Sequence, residues 1–156
     1  KYNELLPRSE DNDMTYRIRK AGFKLCYSPD IVFYQHTRSS LTKMLKQKYL
    51  NGYWIGKTMG VSPKCFSLFH FVPFAFVLAI ALTSFLTAFG FPLLGLLMWS
   101  AYFFLILGIT VIETLKKPLK TNLLLPVIFF LLHISYGVGT LLGLIVMPFW
   151  ILKVKE

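Results

Sequence analysis

Three uninterrupted apolar runs, at 68–90, 91–112 and 123–152, follow a polar, basic stretch that ends near Pro63, and no other feature of the chain limits its fold as strongly. About 20 helical residues cross a hydrocarbon core of roughly 30 Å, so each run is long enough to span a bilayer. Lipid offers no partner to a bare peptide group, and an unbroken run of this length satisfies its own inside a helix. The composition agrees: 55% hydrophobic residues and a mean hydropathy of +0.57 exclude an ordinary soluble domain. An all-α transmembrane region of about three helices is expected over 67–152, with a short tail at 153–156.

Charge orients these spans. The first two runs meet at Phe89-Gly90-Phe91-Pro92, which predicts a tight hairpin, and Lys116, Lys117 and Lys120 follow the second. The net charge is +10, and residues 1–68 alone hold 12 Lys and Arg against 5 Asp and Glu. Positive charge beside spans marks the cytoplasmic side and is drawn to anionic headgroups. The expectation is a multi-pass protein of the plasma (inner) membrane with its polar segment in the cytoplasm and membrane lipids as partners. No nucleic-acid recognition motif accompanies the charge, so nucleic acid is excluded as a partner.

The third run exceeds one perpendicular span. It either crosses once, which is the reading preferred here, or breaks near Gly137 and re-enters. Gly139 and Gly143 form a small-xxx-small pair suited to helix-helix association. His133, deep in that run, fits either a functional group or a neutral histidine bonded to a neighbouring helix. Cys26 and Cys65 have no partner at metal-ligand or disulfide-framework spacing and read as reduced thiols. The chain begins mid-pattern at Lys1 and reads as the C-terminal part of a longer protein.

The polar segment alternates in character. Ser9 can cap a helix from Glu10 to about Ala21, with Gly22 as its stop. Tyr-, Val- and Phe-rich runs at 23–28 and 31–36 flank Ser28-Pro29-Asp30 and predict two short strands. Ser39-Ser40 opens a second helix. Its apolar residues recur at three- and four-residue steps among Lys43, Lys46, Lys48 and Lys57, the pattern of an amphipathic interfacial helix, so 39–66 is assigned to that helix and a linker.

The acidic cluster Glu10-Asp11-Asn12-Asp13 admits two readings from spacing alone. Carboxylates in a first helical turn are favoured by the helix dipole, and the same carboxylates can serve as proton acceptors. The surrounding text carries more information: Tyr16-Arg17-Ile18-Arg19-Lys20-Ala21-Gly22, then Tyr27-Ser28-Pro29, His36, Arg38-Ser39-Ser40-Leu41, Gln47 and Gly52-Tyr53-Trp54. Over about 9–57 this series resembles the end of the catalytic domain of family-2 glycosyltransferases, most closely the membrane-anchored bacterial exopolysaccharide enzymes of the succinoglycan type. The segment from His133 through Tyr136 and Gly137 to Gly139 is similar to one found in the same proteins.

That resemblance implies an α/β fold over 1–38, the end of a Rossmann-like GT-A catalytic domain. It also implies a nucleotide-sugar donor, a lipid-linked saccharide acceptor and transfer with inversion. Asp11 matches the family's base, and Glu10 would shape the acceptor pocket. Asp13, Arg17, Arg38, Gln47 and Trp54 are the implied substrate-binding residues. A divalent metal, Mg or Mn, is expected with its ligands outside this chain, because Asp11-Asn12-Asp13 matches Asp-x-Asp by letter only. The text Gln47 to Trp54 departs from the Gln-x-x-Arg-Trp motif of processive synthases, which favours addition of single sugars. Two other classes fit the spans without the resemblance: a non-catalytic membrane scaffold, and a transporter or flippase subunit.

Overall fold

The structure, a computed structural model, describes residues 1–155; the end of the expected tail, at Glu156, lies outside the described residues. Five helices follow in order: α1 (Glu10–Lys20), α2 (Leu41–Thr58), α3 (Val72–Ala88), α4 (Leu93–Lys116) and α5 (Leu125–Lys155). Short 3-10 turns stand at Pro63–Cys65, Leu68–Phe71 and Lys120–Leu124. Three stretches, Leu68–Ala88, Leu93–Lys116 and Lys120–Val154, are long and apolar enough to cross a membrane.

The expected α/β portion is overturned. Among the described residues no strand forms, and 23–36 is irregular apart from the turn closed by Ile31 N–H donating to the Ser28 carbonyl at 3.3 Å. The physical reason is the absence of anything to pair with. An isolated two-stranded hairpin is marginal in water, and these runs bury neither face: Tyr27 is 87% and Tyr34 94% exposed. Their β-type composition states a preference that no neighbouring strand or apolar surface in this chain redeems.

α1 ends as its sequence predicts and starts differently. Gly22 sits at φ 86°, and the N–H groups of Gly22 and Phe23 donate to the carbonyls of Arg19 and Ile18, a Schellman stop. Ser9 adopts the left-handed conformation at φ 65° and makes no side-chain cap. Ser40 does cap α2, its Oγ accepting from Lys43 N–H at 3.3 Å.

The most extensive packing is that of α2 along the second half of α5. The two helices run parallel, because Leu45 faces Ser135, Tyr49 faces Gly139, Tyr53 faces Gly143 and Gly60 faces Ile151. Glycines bring the backbones together. A methyl built on Gly56 would stand 2.6 Å from both Leu144 N and the Thr140 carbonyl, and ones built on Gly52, Gly139 and Gly143 would strike Tyr136, Tyr49 and Tyr53 backbone oxygens. The small-residue face of Gly139 and Gly143 is thus occupied by α2 of the same chain. Gly137 makes the same close approach to α3 at Pro73. Helical threonines turn their hydroxyls back on the preceding turn, as Thr58 does on Trp54 O at 2.6 Å and Thr140 on Tyr136 O at 3.0 Å, so these buried hydroxyls are paired.

α5 is one continuous helix through Gly137 and Pro148. Between α3, α4 and α5 lies an aromatic cluster centred on Phe76, with Trp99, Tyr102 and Phe130, and Tyr102 Oη stands 3.1 Å from His133 Nδ1.

Gly56→Leu should destabilise the α2–α5 pair by at least the roughly 1–3 kcal/mol of an overpacked core. It should be read as a lower thermal midpoint in detergent, while Gly108→Leu, at a position where a methyl meets nothing within 4 Å, leaves the midpoint nearly unchanged.

Candidate active site

A polar cleft of about 710 Å³ opens where α1, α2 and α5 meet. The start of α1 contributes Glu10 and Asp11, and the preceding loop contributes Arg8. One face of α2 contributes Gln47, Lys48, Asn51 and Ile55, residues that recur at helical spacing. His70 of the turn before α3 and Tyr136 of α5 close the far side, and Gln35 reaches in from the irregular segment.

One polar link ties the loop before α1 to α2, and a second pair lies within α1, which packs against the turn at Pro63–Cys65. Arg8 Nη1 donates to Asn51 Oδ1 at 2.8 Å and joins the loop before α1 to the middle of α2. Asp13 is buried, 4% exposed, and its Oδ2 accepts from Arg17 Nε at 2.9 Å, four residues along the helix. Arg17 also donates through Nη2 to the Lys1 carbonyl at 2.8 Å. Leu6, 2% exposed, is the apolar anchor of the same loop.

Asp11 is exposed to the cleft. Its Oδ1 accepts from Asn12 N–H at 2.8 Å and from Asn12 Nδ2 at 3.2 Å, which leaves Oδ2 without a protein partner among the described residues. Glu10 makes no hydrogen bond or ion pair among them and lines the same wall. His70 uses Nδ1 against Ser67, with the Oγ at 3.1 Å, so its other ring nitrogen is the one open to a ligand. Lys48 forms no ion pair among the described residues.

Of the residues singled out from sequence, the fold unites Glu10, Asp11 and Gln47. Asp13 and Arg17 line a separate recess with Tyr2, Asn3, Val61 and Ser62. Arg38 is exposed and outside the cleft lining. Trp54 faces the other way: its ring meets Trp150 edge-on at 5.9 Å, and the two rings hold the Lys57 ammonium at 4.2 and 4.4 Å. Burial there pushes the Lys57 pKa down. Burial likewise pushes the Cys65 thiol up, against a hydrogen bond with Ser62 that acts the other way. Both cysteines are free.

Sequence reasoning missed Arg8, Asn51, His70 and Tyr136 as cleft residues. Asn51 was findable, one turn from Gln47 on the same face; the other three come together only through tertiary packing. No group of three or more His, Cys, Asp or Glu side chains gathers as a metal cage among the described residues. The expected Mg or Mn therefore has no fitting donor set here.

Comparison with known proteins adds a chemical direction. The chain is 29% identical over 134 residues to a dolichyl N-acetyl-alpha-D-glucosaminyl phosphate 3-beta-D-2,3-diacetamido-2,3-dideoxy-beta-D-glucuronosyltransferase of Methanococcus voltae, a match covering 82% of this chain and 37% of that protein. The similarity supports a glycosyltransferase. This chain spans little more than a third of the length of the curated relative it matches, and that relative is archaeal, which lends nothing to a bacterial exopolysaccharide setting. No protein-family model and no solved structure matches the chain.

Asn51→Ala should loosen α1 without unfolding the helical pairs. Loss of one hydrogen bond to a charged group removes about 1.5 kcal/mol, so amide exchange across 8–20 should quicken roughly tenfold in hydrogen-deuterium exchange while that of α5 is unchanged.

Proposed function

We propose that this chain is the acceptor-side, membrane-anchoring portion of an inverting glycosyltransferase of the family-2 type. The enzyme moves a sugar from a nucleotide-sugar to a lipid-linked saccharide in the building of cell-surface or extracellular polysaccharide. It sits in the plasma membrane as a multi-pass protein, with the cleft on the cytoplasmic side. The observation that carries the reading is the convergence of Glu10, Asp11 and Gln47 in one polar cleft beside the start of an apolar helix, in a chain similar to a named glycosyltransferase.

In this reading Asp11 is the general base. Its Oδ1 is held by Asn12, and Oδ2 accepts the proton of the acceptor hydroxyl as that oxygen attacks the anomeric carbon. The new glycosidic bond forms as the bond to the nucleoside diphosphate breaks on the opposite face, and the diphosphate departs with the electron pair. Glu10 and Gln47 border the acceptor saccharide with the free amide of Asn51, whose carbonyl oxygen is engaged by Arg8. Holding an acceptor on such fixed groups converts an encounter into a near-unimolecular attack. Asp13 and Arg17 act on this site by fixing α1, and no step is assigned to a metal.

Asp11→Asn in the complete protein should lower sugar transfer by roughly 10²- to 10⁴-fold, the usual weight of a general base, with nucleotide-sugar binding retained in calorimetry. Transfer that survives the substitution would instead indicate a non-catalytic scaffold.

A further inference from the structure

The polar cleft continues into a second cavity of opposite character. A groove of about 400 Å³ runs between the start of α3 and α5, with Phe69, Pro73, Phe129 and Leu132 as its apolar walls and His133, bonded to Tyr102, as a polar residue on its α5 side. Lys48, His70 and Tyr136 border both spaces and form the neck between them. The groove lies in the range of cavities that receive small organic ligands, roughly 300–1,000 Å³. Its walls belong to stretches apolar enough to cross a membrane, whereas the cleft is built from the polar segment and one face of α2.

From this continuity we infer that the groove seats the hydrocarbon chain of a single-chain lipid phosphate or diphosphate, with the phosphate held at the neck by Lys48, His70 and Tyr136. The inference rests on the reading of the cleft as the acceptor side of a sugar-transfer site. Three observations select this occupant. A ligand filling both spaces must be amphiphilic, because beyond the neck one is lined by apolar side chains with the single exception of His133 and the other mainly by carboxylates, amides and Arg8. Its middle must be anionic, because the neck between the two spaces is lined by Lys48, unpaired among the described residues, together with His70 and Tyr136, which can donate hydrogen bonds. The groove is small, about 400 Å³, which suits one chain rather than two.

The saccharide attached to that phosphate then extends past Gln47 toward Asp11. A donor of positive charge at the neck fixes the register of the acceptor, so that the lipid anchors the substrate and the phosphate sets which sugar unit reaches the carboxylate. Selection for the lipid is thereby made on this chain.

Photolabelling tests the assignment without requiring turnover. The complete protein in phospholipid nanodiscs is labelled with a C15–C20 isoprenyl phosphate carrying a diazirine near the chain's free end, and labelled peptides are mapped by mass spectrometry. The expected result is labelling at Phe69, Phe129 or Leu132. It should be displaced by unlabelled isoprenyl phosphate but not by phosphatidylglycerol, and reduced at least tenfold by Lys48→Glu. Lys46→Glu, an exposed position on the same helix outside the neck, should leave it within twofold, and labelling by the uncharged isoprenol probe should be equal in wild type and Lys48→Glu. That last comparison shows the variant's groove to be intact. Labelling scattered over α3 to α5, equal displacement by phosphatidylglycerol, or indifference to Lys48→Glu would overturn the assignment. Since Asp11→Asn is read by transfer and Lys48→Glu by labelling, a failed groove and a failed transferase reading give different results.

Discussion

Backbone-to-backbone contact between α2 and α5 is the constraint on which the other features depend. Lipid tails are as apolar as leucine, so helices beside or within a bilayer gain little from hydrophobicity and associate through close packing of small residues. Gly52 and Gly56 on α2, with Gly139, Thr140 and Gly143 on α5, supply that closeness. The register follows, because each glycine admits one carbonyl of the partner and a shift of one turn would drive Tyr49 or Tyr53 backbone into a side chain. With the register set, the α2 face bearing Gln47, Lys48 and Asn51 is turned toward α1, and Tyr136 arrives at the same height.

The stretch from His133 to Gly139 shows how one helix can serve three neighbouring helices and the cleft. His133 meets Tyr102 of α4, Ser135 donates to the Leu45 carbonyl of α2 at 3.0 Å, Tyr136 enters the cleft, Gly137 receives α3 at Pro73 and Gly139 receives α2 at Tyr49. Small residues stand where a backbone approaches and polar ones where a partner waits. This division accounts for a polar, glycine-bearing segment inside an otherwise apolar run, with His133 bonded to the neighbouring helix α4 through Tyr102.

What the sequence made legible was periodic or compositional. The span-length helices, the stop of α1 at Gly22 and the capped start of α2 could be read because each rests on local chemistry, as does the four-residue spacing of Asp13 and Arg17. The strands could not, because strand formation is decided by a partner and 23–36 has none in this chain. Within the site, Glu10, Asp11 and Gln47 were legible through a resemblance and Asn51 through helical spacing. His70 and Tyr136 lie 66 residues apart in the sequence and meet only because α3 and α5 cross at Gly137. Trp54, which the resemblance implies as a substrate-binding residue, has its ring against Lys57 together with Trp150, a cation–π arrangement that needs a residue almost a hundred positions away.

The site is mounted by polar links rather than by a core. Residues 1–38 bury little besides Leu6 and Asp13, so the placement of α1 rests on the Arg8–Asn51 bond to α2, the bond from Arg17 to the Lys1 carbonyl, the Leu6 anchor and contact with the turn at Pro63–Cys65. Each such link is worth on the order of 1 kcal/mol, far less than the packed α2–α5 pair beneath. The rigid part of the molecule therefore carries Gln47, the neck and the groove, and the compliant part carries the base. An acceptor held at the rigid side would meet Asp11 on an element free to settle against it, and small changes at Arg8 or Asn51 would alter that meeting while the helices remained assembled.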